Sequence, residues 1–377
     1  MTAGTASSRD HLRVLMTTDA VGGVWQYALD LAAGLVHHGA HVLLATLGPR
    51  PSAQQKHRAL EIPGITLAES DFALEWMTNP WTDVDASGEW LSALEVEFGA
   101  HVIHLNGYSH GAVMWRKPVI VTAHSCVFSW WEAVHGSAPG PEWSEYQRRI
   151  RSGLAAANAI VAPSAYMAGA LERHYGVARE KVRVIYNFSR AARSSRRLKQ
   201  PFVLSAGRLW DEAKNIGLLN GIAPKLDWRI RVAGSERGPE NSAGHANNLQ
   251  VLGELPHADL IRQMDRASIF AHPALYEPFG LSILEAARAH CCLVLADSPS
   301  LRELWNGAAV FVDPRDPDAW LFELNALVRD LLKRQELGRL AHSRAGQYRA
   351  SSSLGEYWNL YRSLIESARL DGKEVAA

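Results

Sequence analysis

The sequence predicts an α/β protein built from two consecutive parallel-sheet domains. Three observations carry that expectation. The chain has 377 residues, more than one ordinary hydrophobic core fills, so two domains are the default. Short apolar runs alternate with helical patterns through the first half, and a second alternation of the same kind starts near residue 202. That rhythm is the mark of parallel strands covered on both faces by helices. Between the two halves, residues 189–200 are small and basic with little apolar content, as an interdomain linker is. The expected division is a tail over 1–10, a first domain over 11–188, the linker over 189–200, a second domain over 201–353 and a terminal helix over 354–377.

The elements follow in order. Residues 11–18 read as the first strand. Gly22 and Gly23 come straight after it, and Val24, Ala28, Leu31 and Leu35 fall on one face of the next helix. Gly39 ends that helix and 40–46 is the second strand. Further strands are expected at 101–106, 118–123, 159–163 and 182–187. In the second half they are expected at 202–207, 228–234, 249–253, 268–271, 291–296 and 308–313. Two helical stretches cover about 316–348, and an amphipathic pattern runs from Leu354 to Ile365.

Bulk properties narrow the function. With 39 basic and 39 acidic residues the formal net charge is zero, which argues against nucleic acid as the partner. The first ten residues lack the apolar core of a signal peptide, and no run approaches the roughly 18–20 apolar residues of a membrane helix. Cys126, Cys291 and Cys292 make no disulfide framework. The adjacent pair sits in an apolar run and reads as a buried strand with free thiols. A reducing cytoplasm fits. The five basic residues of 189–200 leave peripheral contact with the inner face of a membrane as a rival reading of the linker.

The most informative segment is 274–285, Ala-Leu-Tyr-Glu-Pro-Phe-Gly-Leu-Ser-Ile-Leu-Glu. It reads as strand, tight turn and helix, with Glu277 on the turn and Glu285 inside the helix. A helix N-terminus presents free N–H groups and partial positive charge to an anion. Carboxylates beside it accept hydrogen bonds from hydroxyls. Phosphate and hydroxyls together are the features of a nucleotide sugar.

The segment resembles the Glu-x7-Glu motif of retaining glycosyltransferases with the GT-B fold, above all glycosyltransferase family 4 (glycosyl transferases group 1). The resemblance covers essentially everything after residue 11. It implies two Rossmann-like domains facing a central cleft, with the C-terminal helix crossing back onto the N-terminal domain. It also implies a nucleoside-diphosphate sugar as donor, no cofactor and no metal. Arg208 and Lys214, in Gly207-Arg-Leu-Trp-Asp-Glu-Ala-Lys214, stand where the family grips the donor diphosphate; arginine bonds phosphate in a forked geometry and lysine as a compact charge. Gly22 and Gly23 would let the backbone approach the same group. Glu277 and the backbone of Phe279, Gly280 and Leu281 would hold the sugar, Glu285 the ribose, and the backbone near Val251, Gly253 and Leu255 the base. His124, ending the strand at 118–123, stands where the resemblance places a histidine close to the transferred sugar. Catalytic roles thus fall to His124, Glu277, Arg208 and Lys214.

The acceptor would meet the first domain. Asn106 and Tyr108, with His104 before them, end one strand there, and Trp130 and Trp131 lie in what reads as a long aromatic loop over 125–143. Aromatic faces suit a carbohydrate or lipid-linked acceptor, and packing on the chain's own core equally. Asp83-Val84-Asp85 is a formal Asp-x-Asp, but its surroundings read as a helix start rather than a metal site. Some positions depart from the family: His290 and Cys292 stand for its usual Gly and Pro, Ser298-Pro299-Ser300 for a Gly-Gly loop, and Tyr186-Asn187-Phe188 for Pro-Asn-Gly. The implied activity is retaining hexosyl transfer. The alternatives are a GT-B sugar-phosphate synthase, epimerase or phosphorylase, and a catalytically silent nucleotide-sugar-binding protein.

Overall fold

The computed structural model describes residues 11–191, 198–238, 244 and 246–374. The tail expected at 1–10 and the linker residues 192–197, with three of the five basic residues of the membrane-contact reading, lie outside the described residues.

The first sheet is entirely parallel and seven-stranded, in the order β3-β2-β1-β4-β5-β6-β7. Its strands are β1 (Arg13–Asp19), β2 (His41–Leu47), β3 (Ile65–Glu69), β4 (Val102–Leu105), β5 (Val119–Thr122), β6 (Ala159–Ala162) and β7 (Val182–Val184). The helices between them are α1 (Gly23–His37), α2 (Ala53–Leu60), α3 (Trp81–Phe98), α4 (Val127–His135), α5 (Ser144–Ala156) and α6 (Ala165–Tyr175). The second sheet is six-stranded, parallel, and ordered β10-β9-β8-β11-β12-β13. It comprises β8 (Gln200–Ala206), β9 (Arg229–Ala233), β10 (Gln250–Val251), β11 (Ala267–His272), β12 (Cys292–Ala296) and β13 (Val310–Val312). Its helices are α7 (Ile216–Ile222), α8 (His257–Arg266), α9 (Leu281–Arg288), α10 (Pro299–Trp305), α11 (Pro317–Arg329) and α12 (Leu331–Ala345), and α13 (Ala350–Glu374) closes the chain. Every residue of β11 and β12 is buried, which is why those strands read as unbroken apolar runs rather than alternating ones.

The α/β reading, with two Rossmann-like domains each on a parallel sheet, is borne out, and so is the return of the last helix. Leu354, Tyr357, Leu360 and Tyr361 of α13 share one core with Trp25, Tyr27, Ala28 and Leu31 of α1. The Tyr27 hydroxyl donates to that of Tyr357 at 2.6 Å, and His104 shares hydrogen bonds with Tyr361 and Thr122. His104 is therefore a core residue and not an acceptor-side one.

Four details differ from the sequence reading. Helix α13 starts at Ala350, four residues before Leu354. Residues 125–143 are not a long loop: α4 (Val127–His135) runs through the middle of them, with Cys126 Sγ accepting the Ser129 N–H at its start. Helix α2 and strand β3 were not anticipated, although Ser52 and Gln55 form a reciprocal capping box, a signal visible in sequence. Finally, His290 adopts φ 60° at the end of α9, so the chain keeps the left-handed backbone that glycine usually supplies there.

Candidate active site

In both sheets the strand order reverses beside the first strand of the domain, between β1 and β4 and between β8 and β11. Open parallel sheets bind ligands outside the carboxyl ends of their strands at such points. Here the two switch points face each other. The cavity between them has a volume of about 670 Å³. Gly22, Gly23, Pro49, His124 and Trp130 line it from the first domain. From the second come Arg208, Lys214, Gly234, Glu254, Glu277, Phe279, Gly280 and Leu281.

The wall of the second domain is built by the turn from β11 into α9. Gly280 caps α9 with φ 81°, and a Cβ there would lie 2.6 Å from Ile283 Cδ1. Only glycine fits that position without strain. The turn aims the free N–H groups of α9 into the cleft. Glu277 sits just before it. Its Oε2 accepts from Lys214 Nζ at 2.8 Å and from His272 Nε2 at 3.1 Å. Burial opposes charge on this carboxyl, but Lys214 and His272 outweigh it and hold Glu277 well below the usual carboxylate range. The Glu277 carbonyl is pinned by the Ser300 hydroxyl at 2.7 Å.

Arg208 stands two residues past the end of β8, in the loop that follows it. Its guanidinium pairs with Asp211, lies 5.0 Å over the Trp210 ring, and reaches across the cleft to the Val21 carbonyl at 3.4 Å. Gly22 lies directly opposite, where a Cβ would stand 3.2 Å from Arg208 Nη1. Close approach of the β1–α1 turn to this cation thus needs glycine. Asp19, at the foot of that turn, is pushed up to about 6 by burial, against the Val21 N–H bond and the charge of Arg208.

His124 sits beyond β5 with its ring edge-on to Tyr27 at 4.4 Å. Asn106 Nδ2 donates to the Thr17 carbonyl at 2.7 Å, which turns Asn106 Oδ1 toward His124 Nε2 at 2.8 Å. Nε2 therefore carries the proton. Burial pushes the imidazole down to about 3, so the ring is neutral and its lone pair is on Nδ1.

Several sequence-derived site residues sit elsewhere than expected. Tyr108 is buried, with its hydroxyl donating to the Ser125 carbonyl, so its ring is spent on the core and presents nothing to an acceptor. Asn106 supports His124 instead of lining the cavity. Trp131 packs against Trp130, His135 and Trp143 behind the cleft wall. Trp130 does line the cleft, and its indole N–H reaches Asp211 Oδ1 at 3.4 Å across the interface. Val251, Gly253 and Leu255 are not among the residues lining the cavity, whereas Glu254 and Leu260 are. Glu285 is one turn into α9, buried, and bonded through Oε1 to Ser189 and His257, one turn behind the residues that line the cavity. Phe279 turns its ring into the core against Tyr348, leaving its backbone to the cleft. Asp83 accepts the Ala73 N–H and Asp85 pairs with Arg149.

Comparison with known proteins gives the family. Residues 21–193 match the family described as Glycosyltransferase Family 4, and residues 189–344 match Glycosyl transferases group 1. The chain is a GT-B glycosyltransferase of the family 4 type. The D-inositol 3-phosphate glycosyltransferase of Corynebacterium diphtheriae is 24% identical to it over 383 residues, covering 90% of this chain and 89% of that protein. Sucrose-phosphate synthase from Thermosynechococcus elongatus superposes with a TM-score of 0.78 at 16% identity, over 95% of this chain and 100% of that one. Anabaena HepE in complex with UDP-glucose superposes with a TM-score of 0.72 at 17% identity, over 94% and 100%.

In this glycosyltransferase the residues that sequence reasoning missed are mainly partners of those it found. His272 ends β11 immediately before the motif, and its place at a strand terminus was a usable signal. His257 and Ser189 carried none, because only the fold brings them to Glu285. Tyr276 joins the domains by accepting the Cys126 N–H and bonding the Ser129 hydroxyl at 2.7 Å. Glu303 on α10 accepts the N–H groups of Ala165 and Tyr166 at the start of α6, a helix N-terminus that favours negative charge. No helix among the described residues is long and apolar enough to cross a membrane.

Proposed function

We propose that this glycosyltransferase moves a hexose-type sugar from a nucleoside-diphosphate sugar to a carbohydrate, lipid-linked or small-molecule acceptor with retention of configuration. One observation carries the reading: Arg208, Lys214 and the N-terminus of α9 share one wall of a cleft whose other wall is Gly22, Gly23 and His124. Cations and free N–H groups on one side suit a diphosphate. Lys214 has three donors and can hold Glu277 and a phosphate oxygen together. Glu277 Oε1 and the backbone of 279–281 then take the sugar hydroxyls. Glu285 takes the ribose, and the base lies along 251–255 beside Glu254 and Leu260. His124 offers Nδ1 to a sugar hydroxyl. The donor seen with HepE, UDP-glucose, is the first candidate.

The chemistry then runs on one face of the sugar. As the bond to the leaving phosphate breaks, Arg208 and Lys214 stabilise the charge that builds on it. The released phosphate oxygen takes the acceptor's proton. An inverting attack would need a base on the other face, and His124 is the candidate there. An imidazole pushed down to about 3 accepts a hydroxyl proton poorly, which supports the same-face route. The acceptor comes in beside Pro49 and Trp130. Native mass spectrometry with a panel of nucleotide sugars identifies the donor. Proton NMR of the fresh product, before mutarotation, then reads the anomeric coupling constant. A retained configuration is expected, and an inverted one would discard the mechanism.

A further inference from the structure

Glu285 is held unusually firmly for a group that is to meet a ligand. Its Oε1 accepts from Ser189 Oγ at 2.8 Å and from His257 Nε2 at 2.8 Å. The three residues come from distant places: Ser189 opens the linker, His257 starts α8 and Glu285 lies in α9. Neighbouring bonds fix the linker itself. The Arg190 N–H donates to Asp30 Oδ2 on α1 at 3.0 Å, and the Arg288 guanidinium donates to the Ser189 carbonyl. The Glu285 side chain is only 3% exposed and that of His257 16%, so the pair is largely withdrawn from water and its hydrogen bonds are made within the protein. Both bonds end on the same oxygen. A carboxylate has two oxygens with about four acceptor positions, so Oε2 is the oxygen that neither Ser189 nor His257 engages. The first turn of α9, Gly280 to Ser282, is already cleft wall, and Glu285 stands one turn behind it.

We propose that His257 is a positioning residue: together with Ser189 it anchors Glu285 through Oε1 and so turns Oε2 to the ribose hydroxyls of the donor. The inference rests on the reading above that Glu285 serves the ribose. It adds that ribose recognition is fastened to the segment joining the two domains. The groups facing His257 are Glu285 on α9, Asp30 on α1 and Arg58 on α2. Burial and Arg58 work against its protonation, but Glu285 and Asp30 raise it above the ordinary histidine range. Nucleotide affinity should accordingly fall as pH rises through that raised value, when the pair loses its charge assistance.

The test pairs a variant with a ligand deletion. UDP, GDP and ADP are titrated by calorimetry, and the tightest is compared with its 2′,3′-dideoxy counterpart, for wild type, His257→Phe and Ser189→Ala. Wild type should lose roughly tenfold or more in affinity when the ribose hydroxyls are removed, the scale of a hydrogen bond to a charged group. His257→Phe should bind the intact nucleotide about that much more weakly and should barely distinguish it from the dideoxy form. A merely structural role would weaken both ligands equally and leave the discrimination intact, and that result overturns the proposal. If His257→Phe does not fold, His257→Gln and Ser189→Ala decide it by the same comparison. Wild type that binds none of the three diphosphates would overturn the nucleotide-sugar reading itself, and this inference with it. Wild type that binds and discriminates, beside variants that discriminate equally well, would overturn this inference alone.

Discussion

Lys214 Nζ lies 2.8 Å from Glu277 Oε2, so a cation expected at the donor diphosphate and a carboxylate expected at the sugar form one ion pair. Both side chains are largely buried, and breaking a buried pair by removing one member leaves an unmatched charge. Lys214→Met should therefore destabilise the fold by about 3 kcal/mol, and Lys214→Met with Glu277→Gln should recover part of that loss. The folded-state value of Glu277 lies below its ordinary 4.5. Its contribution is present above that ordinary value and is lost as pH falls beneath it. The Tm difference between wild type and Glu277→Gln should stay constant from pH 7 to about 4.5 and shrink progressively from there to pH 3. A difference that stays constant down to pH 3 would count against the pair as a stabilising contact.

Asn106 decides which nitrogen of His124 carries the proton. Asn106→Asp places a carboxylate at the same site and should raise His124 toward the ordinary histidine range. The wild-type imidazole, pushed down to about 3, stays neutral through pH 5. The variant should gain a new ionisation between about pH 5 and 8 and lose activity as pH falls through it, because the imidazolium has no acceptor left. Carbon-13 or proton NMR of the His124 ring and the rate profile should report the same transition.

Gly280→Ala forces a Cβ onto a left-handed residue and against Ile283. The expected cost is about 1–2 kcal/mol, read as a lower Tm, accompanied by weaker nucleotide binding because the α9 N-terminus moves. An unchanged Tm with unchanged affinity would show that the turn is freer than its geometry implies.

Turnover should survive excess chelator. The diphosphate charge is met by Arg208 and Lys214 in the proposed site, so no divalent ion is required for leaving-group stabilisation. Full loss of activity on chelation, restored by magnesium or manganese, would reassign that role.

Legibility differed along the chain for physical reasons. The strands of both sheets except β3 were readable because parallel strands are buried on both faces and leave continuous apolar runs; β11 and β12 are the clearest cases, and β3, a largely half-buried edge strand, leaves no such run. Helix α4 was not, because Phe128, Trp130, Trp131 and Val134 divide between the first domain's core, the interface and the surface, and that division blurs helical periodicity. His290 looked like a departure from the family at the end of α9, yet its φ of 60° is the left-handed backbone that a glycine ordinarily supplies at a helix C-terminus.

Local chemistry was likewise readable where neighbours in sequence make it. The turn at Glu277 to Leu281 and the loop from Arg208 to Lys214 are each one stretch of chain, so their residue types and spacing already state what kind of ligand they suit. The fold alone decided the rest. Asn106 and Tyr108 are two residues apart, yet one orients His124 and the other is buried, because both lie past the end of β4, where the chain turns and strand alternation no longer sets side-chain direction. Ser189, His257 and Glu285 are separated by 68 and 28 positions and meet only where α8, α9 and the linker converge. Hydrogen bonds between such distant residues depend on how the sheets and helices pack, and nothing in the local order of side chains encodes that packing.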